Sequence, residues 1–237
     1  MGLYLIIMGV QGAGKGVQAD YLKNTYNILH VSTGDLFRAM KAREDELAVR
    51  VQEIMKSGQL VPDDVTNEVL RDRLEKPEVA HKNGVLFDGY PRNIAQAEWL
   101  EAYLASRGES LTAALLLELD LYTAFKRAFG RVTSQSGASY NIFYNTEGIE
   151  WKFEEHPEKS YPPRLVAAMR DSGETLIRRP DDASAASILT RIDLYNEQTR
   201  PLIEHYHRKG LLRRIDANQS IDAVSADLRS AIDAARK

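Results

Sequence analysis

Leu3-Tyr4-Leu5-Ile6-Ile7-Met8-Gly9-Val10-Gln11-Gly12-Ala13-Gly14-Lys15-Gly16 is the stretch on which the reading of this chain turns. Its first six residues form an unbroken apolar run that stops at Gly9. A run this short, without alternation, predicts a strand buried on both faces. The glycines that follow let the backbone curl so that successive N–H groups point inward. Val17, Tyr21 and Leu22 are spaced for a helix over Val17 to Tyr26, whose positive N-terminus completes an anion cradle. Lys15 supplies a full charge to the outer phosphates of a nucleotide. Gly16 stands where the strict phosphate-loop pattern has Ser or Thr.

Four more short apolar runs recur between helical patterns: Ile28 to Val31, Val85 to Phe87, Ala114 to Leu119 and Leu211 to Ile215. Strands alternating with helices predict an α/β fold with a parallel five-stranded sheet wrapped on both faces, a P-loop three-layer architecture. A last helix is expected from Ile221, Val224, Leu228 and Ile232, with Ser220 as its N-cap. Two stretches interrupt the alternation. Gly34 to Gly58 reads as helical throughout, with an apolar stripe at Leu47, Val51, Ile54 and Met55 and a stop at Gly58. Arg131 to Ser172 is polar, carries Pro157, Pro162 and Pro163, and has no clean period. Its aromatics, among them Tyr140, Phe143, Tyr144, Trp151 and Phe153, argue against plain disorder, so it reads as a functional lid with some strand content.

Composition narrows the class further. The chain has 237 residues, 43% of them hydrophobic, a net charge of -3 and no cysteine. That is enough for one sizeable core, and the charge does not suit a general nucleic-acid binder. Disulfides and thiolate metal sites are excluded. The apolar opening is too short to span a bilayer and lacks the features of a secretory signal. A soluble, cytoplasmic protein with no nucleic-acid or membrane partner is the expectation.

The glycine loop with Gly16 after Lys15 resembles that of adenylate kinases, and further segments of that family follow in order. Ser32-Thr33-Gly34-Asp35 with Arg38, and Gly58-Gln59-Leu60-Val61-Pro62-Asp63, are similar to the two ends of the family's monophosphate-binding insertion. Phe87-Asp88-Gly89-Tyr90-Pro91-Arg92 with Gln96 is similar to its most distinctive signature. Arg127 and Gly130-Arg131 match the start of the lid. Arg179-Pro180-Asp181-Asp182 and Arg191, then Tyr195, Gln198-Thr199 and Pro201-Leu202, match its end and the helix beyond. The resemblance covers almost the whole chain. It implies a core over residues 1–31, 62–130 and 173–237, a monophosphate-binding subdomain over 32–61 and a lid over 131–172.

It also implies an activity: a nucleoside monophosphate kinase moving the terminal phosphoryl group of Mg-ATP reversibly onto AMP. Two polyanions must then be brought together, and the transition state spreads charge over its equatorial oxygens. Arginine suits this task because its planar fork donates to two oxygens and never loses its charge. By resemblance, the catalytic cations are Lys15, Arg92, Arg127, Arg131, Arg179 and Arg191. ATP would be held by Gly12, Ala13, Gly14, Lys15, Gly16, Val17, Arg127, Arg131, Ser139, Tyr140 and Gln219. AMP would be held by Thr33, Arg38, Gln59, Leu60, Val61, Gly89, Tyr90, Pro91, Arg92, Gln96, Arg179 and Arg191. In this scheme Gln96 reads the adenine edge, where an amide offers donor and acceptor together. Asp88, ending a buried strand, would orient waters on Mg2+, which keeps much of its hydration; a helix N-cap is the alternative. Capping or hinge roles suit Asp35, Asp181 and Asp182 equally well.

Three departures stand out. Val17 replaces the family's threonine and removes a hydroxyl that reaches the donor phosphates. Gln11 replaces the loop proline. The lid has no cysteine for a zinc knuckle, so no zinc is expected; Ser136 and Ser172 could belong to a hydrogen-bonded corner instead. Asn145 to Met169 has no counterpart that the resemblance identifies. A UMP/CMP-type kinase and a catalytically silent nucleotide-binding protein are the rival readings. Gln96 argues against the first, and the retained arginines against the second.

Overall fold

The computed structural model describes residues 2–56, 61–155, 164–178, 182 and 184–236. They fall into two compact units. One comprises Met1–Gly9, Gly14–Glu118 and Asn196–Lys237, and the other Val10–Ala13 and Leu119–Tyr195.

The first unit is built on a parallel sheet of β1 (Leu3–Met8), β2 (Leu29–Ser32), β3 (Gly84–Asp88), β4 (Ala113–Glu118) and β10 (Leu212–Asp216). The strand order is β10-β4-β1-β3-β2. Each apolar run from the sequence becomes one of these strands, within a residue or two at the ends. Alternate side chains of a strand point to opposite faces, and here both sets are buried. Ile6, Met8, Val85, Phe87, Ala114 and Leu116 share a core with residues of α4 (Asp63–Leu74), α5 (Ile94–Ser106) and α8 (Arg200–Arg208). The alternate set, including Leu5, Ile7, Leu86 and Leu115, is also buried. On that side α1 (Lys15–Tyr26) packs with α9 (Ile221–Ala235). The expected three-layer fold is therefore present.

Two helical expectations shift in detail. The buried face of α1 is Gln18, Ala19 and Leu22, while Val17 is 47% exposed. A buried amide is tolerated because α9 satisfies it: Gln18 Nε2 donates to the Ile221 carbonyl at 3.1 Å, and Ser225 Oγ donates to Gln18 Oε1 at 2.9 Å. Helix α9 begins as expected, with Ser220 Oγ accepting from Ala223 N. Val224, Leu228 and Ile232 are buried, but Ile221 at its first position is exposed.

Gly34 to Gly58 is not helical throughout. It forms α2 (Thr33–Met40) and α3 (Glu46–Lys56), separated where Asp45 Oδ1 accepts from Ala48 N at 3.2 Å. Asp near a helix start offers the backbone an alternative partner, so it breaks rather than continues a helix. Leu47, Val51 and Ile54 do line one face, packing with Met40, Ala48, Val65 and Val69 in a small separate core. Gly58 lies outside the described residues.

The second unit contains α6 (Leu121–Phe129), β5 (Arg131–Thr133), β6 (Ser139–Asn141), β7 (Ile149–Glu154), β8 (Arg164–Met169), β9 (Thr175–Leu176) and α7 (Ala185–Leu194). β5 and β6 pair antiparallel, and β7, β8 and β9 form an antiparallel three-stranded sheet. Within the segment without a recognised counterpart, the described residues Ile149–Glu154 and Arg164–Met169 form an antiparallel pair of strands. Ile149, Leu165, Ala167 and Leu176 join Val132 and Ile142 in a core, while Trp151 and Phe153, on the same face of β7 as Ile149 and paired with Ala167 and Leu165, remain exposed. Ser134 Oγ and Ser136 Oγ lie 2.8 Å apart, and Glu174 Oε1 accepts from Gln135 N at 2.7 Å. Ser172 Oγ accepts from Glu174 N. The hydrogen-bonded corner expected at Ser136 and Ser172 is present.

Candidate active site

In a parallel sheet ligands bind beyond the carboxyl ends of the strands, where connections diverge. Here that point lies between the adjacent strands β1 and β3, whose outgoing connections run in opposite directions along the sheet, to β2 and to β4. Gly9 follows β1, and Asp88 closes β3 in register with Ile7.

The glycine loop has the geometry of an anion cradle. Gly14 caps α1 in the left-handed region at φ 91°, offers no side chain, and is followed by a first turn without an acidic residue. The leading N–H groups of α1 therefore receive no side-chain cap and stay available to an anion. Lys15 Nζ donates to the Gly9 carbonyl at 2.6 Å, which folds the lysine back along the loop. Gly16 and Val17 sit exposed in that first turn. In the other unit, Ala13 N donates to the Val10 carbonyl. A Cβ on Gly12, whose φ is +92°, would lie 2.4 Å from the Ala124 carbonyl oxygen. Only glycine satisfies both the dihedral and that approach.

The acceptor-side residues are tied into one network. Ser32 Oγ caps α2 through Asp35 N. Thr33 Oγ1 donates to the Gly89 carbonyl at 2.9 Å, and Arg92 Nε donates to the same oxygen at 2.9 Å. Gln96 is buried: its Oε1 accepts from Arg92 N at 2.8 Å, and its Nε2 donates to Asp63 Oδ1 at 2.7 Å. Asn93, the N-cap of α5, also donates to Asp63. Tyr90 hydroxyl donates to Asn67 Oδ1 and lies 3.1 Å from the Gln96 carbonyl. Burial, aided by the Asp63 charge, drives the Tyr90 phenol above its ordinary pKa, so it stays a neutral donor. Pro91 is buried beside it, and Val61 packs against the small α2–α4 core. Arg38 is exposed and paired with Asp35 one turn earlier. Burial tends to raise the Asp35 pKa, but the hydrogen bonds from Arg38 and Ser32 outweigh it and leave the carboxyl below its usual value.

Asp88 is not a helix N-cap, since Asn93 caps the next helix. Its side chain is 16% exposed, with His30 Nε2 3.4 Å from Oδ2. A carboxylate with one polar neighbour at a strand end offers hard oxygen, the donor type that Mg2+ prefers. Among the described residues no group of three or more His, Cys, Asp or Glu is placed to hold a metal directly.

In the second unit, Asp182 is fully buried and ion-paired. Arg131 Nε and Nη2 approach its Oδ2 at 2.8 and 2.6 Å. Gln11 Nε2 donates to its Oδ1, and Arg178 donates to its backbone oxygen. Arg178 Nη2 also donates to the Phe129 carbonyl and lies over the Phe129 ring at 4.9 Å. Burial lowers the Arg178 pKa, with Asp182 opposing. Arg191 Nη1 reaches Gln11 Oε1 at 3.4 Å. Arg127 lies over the Tyr144 ring at 5.4 Å, and Asn141 Nδ2 donates to the Arg127 carbonyl. Ser139 is exposed on β6, while Tyr140 packs onto the sheet core. Gln219, in the first unit, donates to Asp227 at 2.6 Å and to the Asp216 carbonyl. Gln59, Leu60, Arg179 and Asp181 lie outside the described residues.

Sequence reasoning missed the parts played by Asp63, Arg178 and Gln11. Asp63 was visible as an acid at a helix start, directly after Pro62. Nothing in the sequence distinguishes Arg178 from its neighbour Arg179.

A glycine cradle at the end of β1, with a network of hydrogen-bonded polar side chains after β3, defines a P-loop nucleotide-binding protein of the three-layer α/β class. The adenylate kinase family model matches residues 7–211. The chain is similar to the adenylate kinase of Caldanaerobacter subterraneus subsp. tengcongensis, with 40% identity over 96% of this chain and 95% of the relative. It is also similar to those of Moorella thermoacetica, with 39% identity over 93% of each, and Shouchella clausii, with 38% over 95% and 96%. The chain belongs to the adenylate kinase family. Membership bears out the expected enzyme class, a nucleoside monophosphate kinase, and does not favour the UMP/CMP-type or silent readings. No helix among the described residues is long and apolar enough to cross a membrane.

Proposed function

We propose that this chain transfers the terminal phosphoryl group of Mg-ATP to AMP, reversibly, giving two ADP. The observation that carries this reading is the pairing, at the carboxyl ends of adjacent strands, of the glycine–lysine cradle with the Thr33–Gly89–Arg92–Gln96 network. The cradle at Gly14, Lys15, Gly16 and Val17, together with Gly12 and Ala13, takes the ATP phosphates. Arg127, Ser139, Tyr140 and Gln219 take the adenosine end of ATP, and Arg127 already lies against the Tyr144 ring. Arg38 and Arg92 take the AMP phosphate, with Arg38 leaving Asp35 to do so. Thr33, Val61, Gly89, Tyr90 and Pro91, with Gln59 and Leu60, shape the AMP site. Gln96 retains one amide hydrogen and one lone pair beyond its bonds to Asp63 and Arg92, which is the complement an adenine edge requires. Arg131, Arg179 and Arg191 stabilise charge on the transferred group.

When bound with ATP, Mg2+ offsets charge on the outer phosphates, and Asp88 would hold it through water. No zinc enters this scheme. The subdomain division is 32–61 for the monophosphate site and 131–172 for the lid, with the core over 1–31, 62–130 and 173–237. The small apolar clusters around Met40, Ala48 and Val51 and around Ile149, Leu165 and Ala167 support it, although Val65 and Val69 join the first and Leu176 the second from the core segments. We assign the protein to the cytoplasm as a monomer, with ATP and AMP its partners and neither nucleic acid nor membrane among them.

The test is ADP production from Mg-ATP with AMP, CMP, UMP or GMP as acceptor. AMP should be used preferentially. Preference for CMP or UMP would overturn the acceptor assignment, and ATP binding without ADP formation would indicate a silent protein.

A further inference from the structure

Gln11 stands in the glycine turn where adenylate kinases have proline, and its side chain is engaged at both ends. Its Nε2 donates to Asp182 Oδ1, and its Oε1 accepts from Arg191 Nη1 at 3.4 Å. The other oxygen of Asp182 accepts from Arg131. Arg131, Asp182, Gln11 and Arg191 therefore form a continuous series in which a neutral amide links a buried carboxylate to a second guanidinium. A carboxamide can do this because it presents a donor and an acceptor on one planar group. Proline can do neither. The backbone beneath Gln11 is held too, by the Ala13–Val10 turn bond and by the contact of Gly12 with the Ala124 carbonyl. Asp182 has no solvent exposure, so Oδ1 would lose this donor without water to replace it.

We infer that Gln11 is a positioning residue for phosphoryl transfer. It fixes Asp182, and through it Arg131, while directly orienting the Arg191 guanidinium. The inference rests on the kinase reading above. Gln11 adds no charge, so it acts on geometry alone. Arginines that act on charge developing in the transition state influence kcat more than nucleotide affinity. Misorienting both should therefore lower kcat and leave the KM values for ATP and AMP nearly unchanged.

Two variants test this in the full chain, with steady-state ADP formation measured across pH. Gln11→Leu keeps the volume and removes both hydrogen bonds; kcat should fall roughly tenfold, the loss expected for a hydrogen bond to a charged group. Both KM values should stay within about twofold. Gln11→Glu sets a carboxylate against Asp182 at about pH 8, and its kcat should be low there. Toward about pH 5.5 one of two facing carboxyls takes up a proton. The protonated glutamic acid then has an O–H for Asp182 and a C=O for Arg191, as glutamine does. The ratio of Gln11→Glu to parent kcat should rise as pH falls, while the Gln11→Leu ratio stays flat. Parent-like kcat in Gln11→Leu overturns the inference, and so do parallel pH profiles for the two variants. An inactive parent protein overturns the kinase reading itself and this inference with it. Active parent with unaffected variants overturns only the role of Gln11.

Discussion

Gln96→Leu tests whether the acceptor-side network is held by the one amide at its centre. Leucine approximates the volume of the buried Gln96 side chain. Two hydrogen bonds go: Arg92 N loses its acceptor at 2.8 Å, and Asp63 loses a donor at 2.7 Å. The first is a neutral bond worth about 0.5–1.5 kcal/mol, and the second, to a carboxylate, about 1.5–3 kcal/mol. Asp63 keeps Asn93 as a donor, which limits the loss. Together they predict a destabilisation of about 2–4 kcal/mol in urea unfolding. The Arg92 turn loses its anchor, so the KM for AMP should rise while that for ATP does not. Asp63→Ala, alone and with Gln96→Leu, completes a double-mutant cycle. A shared bond gives a coupling of about 0.5–3 kcal/mol. Strict additivity, with Gln96→Leu costing under about 0.5 kcal/mol, would refute the reasoning.

Other predictions concern the glycine loop and the monophosphate-side helices. Gly12→Ala forces a left-handed dihedral costing about 1–2 kcal/mol and drives a Cβ toward the Ala124 carbonyl; kcat/KM for ATP should fall steeply, measured at saturating AMP. Val17→Thr places a hydroxyl on an exposed first-turn position without disturbing the core. It should lower the KM for ATP about tenfold, as one added hydrogen bond to a charged group allows, with unchanged Tm. Asp72 accepts from Arg43 at 2.9 Å and pairs with Lys76. Burial raises its pKa, but these partners outweigh it and hold it below the model-compound value of 3.8. A carboxyl depressed on folding contributes stability above its unfolded pKa and loses it as pH falls through its folded one. Asp72→Asn should therefore destabilise by about 1 kcal/mol or less at neutral pH, the difference from the parent vanishing as pH drops below 3.8 in urea titrations.

Much of the first unit was legible because its signals are local. Leu3 to Met8 and Ala114 to Leu119 are continuous apolar runs, which only strands buried on both faces combine with such brevity. Ser220 announced its helix through cap chemistry that needs no tertiary partner. β7 alternates apolar and charged residues from Ile149 to Glu154, the pattern of a half-buried strand, but it lies inside a long polar, proline-bearing stretch read for its overall composition. The buried face of α1 includes the polar Gln18, and a sequence cannot reveal that α9 will satisfy its amide. Helices α2 and α3 merged in the reading because the break at Asp45 depends on where a carboxylate turns.

What the sequence alone determined is the class: a strand, a glycine turn and a lysine in register define a phosphate cradle, since that chemistry depends on neighbours within a few residues. Tertiary structure decided the pairings. Gln11 with Asp182 and Arg191, and Gln96 with Asp63, join residues far apart along the chain. A buried carboxylate selects its donors by distance in space, and spacing along the chain carries no record of that choice.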